Sequence, residues 1–125
     1  MTQGTRPGER DVGKGLIRQA NEVRILAAAE RIFARAGFGG ATMAAIATAA
    51  KLPKANLHYY FGSKKDLYRA VLAGILRDWL VSTDVFTPDA EPRAALDHYI
   101  RAKMRLSAER PDASKVFANE LLHGA

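Results

Sequence analysis

The chain has 125 residues, the size of one ordinary domain or of one small domain plus part of another, and 48% are apolar, which excludes global disorder. It has no cysteine, which excludes disulfides, thiolate metal sites and cysteine nucleophiles together and suits a reducing cytosol. The net charge of +6 is uneven: residues 1–80 hold thirteen Lys/Arg against six Asp/Glu, and residues 81–125 hold six against seven, so the basic front half is the part expected to meet a polyanion.

In chain order, residues 1–15 are rich in Gly, Pro and charge (Gly4, Pro7, Gly8, Gly13, Gly15), and residues 1–20 are expected to form a flexible basic arm carrying Arg6, Arg10, Lys14 and Arg18. No apolar stretch near Met1 resembles a signal peptide, and the longest apolar runs, such as Val71 to Leu76, fall far short of a membrane span. A soluble, cytoplasmic protein with no membrane contact is the expectation. From about Ile17 or Asn21 a helix is predicted, with Val23, Leu26, Ala29, Phe33 and Ala36 at helical spacing, ended by Gly37 and Gly39-Gly40. Thr42 is the expected N-cap of a second helix, in which Met43, Ile46, Ala47 and Ala50 fall at i, i+3, i+4 and i+7. Leu52-Pro53 should end that helix, because proline disfavours the helical conformation of the residue before it.

Lys54 to Tyr60 is long enough for a third short helix, with Pro53 near its start. Ser63, with Asp66 three residues on, reads as an acidic capping box for a fourth helix bearing Leu67, Val71, Ile75 and Trp79 and running to about Ser82. Thr87-Pro88-Asp89 is a loop, Pro92 opens a fifth helix through Leu96, Ile100 and Leu106, and after Pro111-Asp112 a sixth covers Ala113 to Leu122. There is no strand pattern, repeat or low-complexity tract. The expected fold class is all-α, with a helix-turn-helix over residues 21–66 and further helices over residues 67–125.

Two short helices joined by a tight turn, Thr42–Ala50 and Lys54–Tyr60, have the size of a helix-turn-helix unit. The first is rich in alanine and can pack closely; the second is polar at its start, where base edges are met. Lys54 can reach guanine, Asn56 can pair bidentately with adenine, and Ala55 can touch a thymine methyl. His58, Tyr59 and Tyr60 cannot all face inward with Leu57 and Phe61, so their polar tips are expected along the sugar-phosphate backbone. Thr42 and Lys64 stand at two helix starts, where free amides favour anions. Lone readings compete with these: Thr42 would serve as a cap without DNA, and Lys54 and Asn56 could be merely solvated.

The phrase Asn56-Leu57-His58-Tyr59-Tyr60-Phe61-Gly62-Ser63-Lys64-Lys65-Asp66-Leu67-Tyr68, together with Phe33, Gly37, Thr42, Ile46, Ala47 and Ala50, resembles the N-terminal signature of the tetracycline-repressor (TetR) family over roughly residues 22–72. Tyr99-Ile100, Lys103, Ser107, Pro111, Ala113-Ser114, Phe117, Glu120, Leu122 and Gly124-Ala125 are similar to helices of the pyrimidine-utilisation regulator branch of that family. The resemblance implies a sequence-specific regulator, a repressor released by a small-molecule effector such as a pyrimidine or another small metabolite. It also implies a homodimer in full-length form and a palindromic double-stranded DNA operator, with Thr42 and Lys64 on the DNA backbone, Ala55 at a base and Met43 among the DNA-contacting residues. Ala44 and Ala45 stand where several relatives carry long polar residues, which shifts expected base reading to the third helix and the arm. The C-terminal helical domain would bind effector and dimerise, and on this pattern it is truncated at Ala125. Trp79 and Tyr99 are weak candidates for an effector pocket, core packing being the stronger reading for Trp79, and His98 is expected at the surface.

An enzyme is not expected, and neither is a cofactor or a metal. His58, His98 and His123 lack ligand spacing, and there is no Gly-rich phosphate loop and no nucleophile elbow. The alternative function is a helical interaction module that does not bind DNA.

Overall fold

A computed structural model describes the backbone of residues 7–124 and the side chains of residues 13–124, apart from residues 81 and 82. Among the described residues there are six helices: α1 (Pro7–Gly40), α2 (Met43–Ala50), α3 (Lys54–Phe61), α4 (Lys64–Leu80), α5 (Pro92–Glu109) and α6 (Pro111–His123), with a short 3-10 turn at Val81–Val85 after α4. No strand occurs among the described residues.

The first helix begins earlier than the sequence suggests. Residues 7–20, expected as arm, continue α1 toward its N-terminus, with Pro7 at a first-turn position where its missing N–H leaves no bond unmade. Arg6 and the start of the expected arm lie outside the described residues. At the other end the expectation holds: Gly37 leaves the helical region (φ 73°, ψ 173°), a conformation that a side chain resists, and a last turn runs on to Gly40.

Thr42 caps α2, its hydroxyl accepting from the Ala45 N–H at 3.1 Å. The helix stops before the proline. Lys51 takes the left-handed conformation (φ 59°), so its own N–H turns back to the Thr48 carbonyl at 3.1 Å and Pro53 is left to lead into α3. Ser63 caps α4 by accepting from the Asp66 N–H at 3.1 Å, but the reciprocal half of the box is absent: the Ser63 N–H donates to the Phe61 carbonyl at 2.7 Å. Pro92 and Pro111 open α5 and α6 directly, so α6 starts two residues before Ala113.

One core joins most of these helices. Ile25, Ala28, Ala29 and Phe33 of α1 pack with Ile46 of α2, Leu57 of α3, Leu67, Val71 and Ile75 of α4, and Ala113 and Val116 of α6. The cluster continues across residue 66, so the helix-turn-helix and the later helices share buried side chains. Arg110, at the α5–α6 junction, forms ion pairs with Glu30 of α1 and Asp78 of α4.

Candidate nucleic-acid interface

Leu57 is fully buried (0% exposed) and fixes the inward face of α3, so Lys54 and Ala55 stand exposed at its start and Asn56 is half-buried. His58 and Tyr59 face outward as expected, whereas Tyr60, expected outward with them, packs against the core beside Phe61. Tyr59 is the most exposed of its aromatics at 73%, His58 is exposed, and Tyr60 and Phe61 are half-buried against the core. Tyr60 is held by a hydrogen bond from the Asn21 amide to its hydroxyl at 3.2 Å. The Arg18 guanidinium lies over both tyrosine rings, 5.6 Å from Tyr59 and 5.4 Å from Tyr60, and its hydrogen bond to Glu22 raises its pKa further above the physiological range. Arg18, expected in a flexible arm, is thus attached to the same aromatic face as α3.

Thr42 is exposed beside the free amides of the α2 N-terminus, and its hydroxyl, already accepting from Ala45, keeps its own proton for an outside acceptor. Met43 is different. At 8% exposure its side chain belongs to the core, because it begins the same apolar stripe as Ile46, Ala47 and Ala50. Its side chain packs in the core while its backbone N–H stands in the first turn of α2, and its expected DNA contact remains a proposal.

Lys64 has a more specific place than a solvated clamp. Its ammonium donates to the Phe38 carbonyl at 2.7 Å and the Ala41 carbonyl at 3.1 Å and lies 4.3 Å from the centre of the Phe38 ring. It therefore pins the loop between α1 and α2, with one of its three protons left over. Arg24, absent from the sequence-based candidates, donates to the Ala50 and Lys51 carbonyls at 2.8 and 3.2 Å and so supports the turn between α2 and α3. Neither partner was visible in local spacing, since the bonds span 26 and 27 positions.

The charge of the sequence stretch around this site is one-sided. Residues 31–65 hold six Lys/Arg and no Asp or Glu. Among the described residues no group of three or more His, Cys, Asp or Glu could hold a metal ion, and no helix is long and apolar enough to cross a membrane.

The two effector candidates lie elsewhere and close together. The Lys103 ammonium sits 4.9 Å from the Trp79 ring centre and 5.2 Å from that of Tyr99, and donates to the Trp79 carbonyl at 2.9 Å. Trp79 also packs on Phe117 at 4.8 Å, and Tyr99 on Phe86 at 5.2 Å. His98 is exposed, as expected.

Comparison with known proteins gives the same picture. Residues 25–71 match the family described as bacterial regulatory proteins, tetR family, and residues 72–125 match the YcdC-like protein, C-terminal region. The chain is 44% identical over 106 residues to the HTH-type transcriptional regulator RutR of Escherichia coli, covering 85% of this chain and 50% of that protein. It is 32% identical over 108 residues to the HTH-type transcriptional repressor NicS of Pseudomonas putida, covering 84% and 51%. Among solved structures, a TetR-like transcriptional regulator from a Rhodococcus species superposes with a TM-score of 0.71 at 28% identity, over 77% of this chain and 53% of that one. The chain spans about half the length of the curated relatives it matches.

Proposed function

The chain belongs to the tetR family of bacterial regulatory proteins, and from that premise we propose that it is a sequence-specific DNA-binding transcription regulator, a repressor released by a small-molecule effector. The observation that carries the reading is the start of α3, with Lys54 and Ala55 exposed and Asn56 half-buried beside them, on a stretch that holds six cations and no carboxylate. A helix start of that kind can enter a major groove with its side chains at base edges, while the surrounding charge holds the phosphates.

In this reading Lys54, Ala55 and Asn56 meet bases. Thr42, His58, Tyr59, Tyr60 and the remaining proton of Lys64 meet the backbone, and Lys14 and Arg18 extend the contact along α1. Residues 21–66 form the reading head. Residues 67–125 belong to the part that binds effector, a pyrimidine or another small metabolite, and holds two heads on a palindromic operator as a homodimer in the cytoplasm. Trp79 and Tyr99, set around Lys103, are its effector-facing candidates. The relatives named above are transcriptional regulators, and no catalytic role is assigned to any residue.

The test is selection of a preferred duplex from a random library, followed by fluorescence anisotropy on that duplex and on a scrambled one. Preference for the selected duplex supports the reading. Equal, salt-insensitive affinity for both, or none for either, would favour a helical interaction module instead.

A further inference from the structure

A groove of about 980 Å³ opens between the end of α1, the first half of α4 and the last turns of α6. It is on the scale of small-molecule sites, roughly 300–1,000 Å³. Its walls carry four cations from three helices: Arg35 of α1, Lys65 and Arg69 of α4, and Lys115 of α6. All four side chains are exposed, and none is paired with a carboxylate among the described residues. The single acid on the lining, Glu120, is engaged by the Tyr68 hydroxyl at 2.5 Å. The same groove offers an aromatic surface, Phe38 at 40% exposure with its ring 5.0 Å from that of Tyr68.

We propose that this groove binds a phosphorylated small molecule bearing a planar ring, of mononucleotide size. Two guanidiniums, from α1 and α4, supply the planar forks that match phosphate oxygens, and two ammoniums, from α4 and α6, add charge. Phe38 gives the ring a surface to lie against. The third wall, contributed by α6, makes the groove a better fit for a small anion than for the flank of a duplex. The site is distinct from the Trp79–Tyr99 cluster, neither of which lines it. Binding here does not depend on the DNA reading proposed above, and its test needs no operator.

Isothermal titration of the full chain would use the four ribonucleoside monophosphates, the corresponding nucleosides and inorganic phosphate as probes. At least one monophosphate should bind at a single saturable site. Its nucleoside and inorganic phosphate should each bind at least about tenfold more weakly, as expected when a charge-assisted bond or the ring contact is removed. The double variant Arg35→Gln/Arg69→Gln should lose about tenfold or more in affinity with an unchanged melting midpoint, since neither guanidinium supports the fold. Lys115→Gln, on another helix, gives a second reading should the double variant melt early. No saturable binding by any monophosphate would overturn the proposal. So would a nucleoside or bare phosphate binding as well as the ester, or variants that bind like the parent. Substitutions that weaken duplex binding while leaving the monophosphate unaffected would assign these cations to DNA instead.

Discussion

Lys64 shows how a single side chain can serve two masters. Two of its protons hold the Phe38 and Ala41 carbonyls, so Lys64→Ala should cost about 1–2 kcal/mol of stability, measurable by urea unfolding. If its third proton meets a phosphate, the same substitution lowers the slope of log K against log salt by about one unit. An unchanged slope would leave Lys64 with the structural role alone. Asn56 is the sharper probe of base reading. Asn56→Ala should cost about 1–3 kcal/mol on the preferred duplex and relax preference at one base position; an equal loss on scrambled DNA would make it a backbone contact. Tyr68 supplies a pH signature away from DNA. Burial first, then the hydrogen bond to and charge of Glu120, raise its pKa from 10.0 to about 12. The folded state therefore holds the phenolic proton more tightly than the unfolded chain. That contribution to stability is complete below about pH 10 and is lost as pH rises through about 12. Glu120→Gln should bring the tyrosinate absorbance transition of Tyr68 part of the way back toward the ordinary value, and an unmoved transition would remove Glu120 as a cause.

The helix ends set the geometry of the reading head, and three of them take positive-φ backbone, at Gly37, Lys51 and Gly62. Gly37 has φ 73° and ψ 173° with nothing within 4 Å of where a Cβ would lie. Gly37→Ala therefore tests backbone strain without a steric clash, and it should destabilise by about 1–3 kcal/mol in thermal or urea unfolding. A neutral outcome would mean the last turn of α1 rearranges freely. Lys51 bears its left-handed conformation without being glycine, which the structure offsets by closing α2 through the Lys51 N–H and the Leu52 N–H, each donating at 3.1 Å to the last turn of the helix. Arg24 adds bonds to the carbonyls at the same end, so the turn between α2 and α3 is tied from both of its neighbours in the fold.

At the scale of the whole molecule, charge and apolar surface are sorted to different regions. The cation-only stretch of residues 31–65 predicts that duplex affinity falls steeply with salt, log K dropping by roughly 0.9 per phosphate neutralised on plotting against log salt. Titrations across a salt series would check this, and a flat line would remove phosphate contact from the mechanism. The later helices instead expose Leu76, Leu80, Leu96, Ile100 and Met104 of α4 and α5 and Leu121 and Leu122 of α6, between 41% and 75%. Phe117, on the same helix as Leu121 and Leu122, is half-buried against Trp79. Between these regions one core joins α1, α4 and α6, and Arg110, at the α5–α6 junction, adds ion pairs to Glu30 of α1 and Asp78 of α4.

The sequence by itself determined the helices, their order and most of their caps, because these depend on spacing within a few residues. The apolar stripe of Met43, Ile46, Ala47 and Ala50, the cap at Thr42 and the exposed start of the helix after Pro53 were all legible in that way. The unusual start of α1 was not, since glycines at 13 and 15 lower helical propensity without forbidding the helix. Tertiary structure alone decided what long side chains do. Lys64 turned to carbonyls 23 and 26 positions away, and Arg24 to carbonyls 26 and 27 away. It also gathered Arg35, Lys65, Arg69 and Lys115 around one groove. Periodicity specifies which face of a helix is buried, but only packing specifies which other helix that face meets, and with it every contact between residues far apart in the chain.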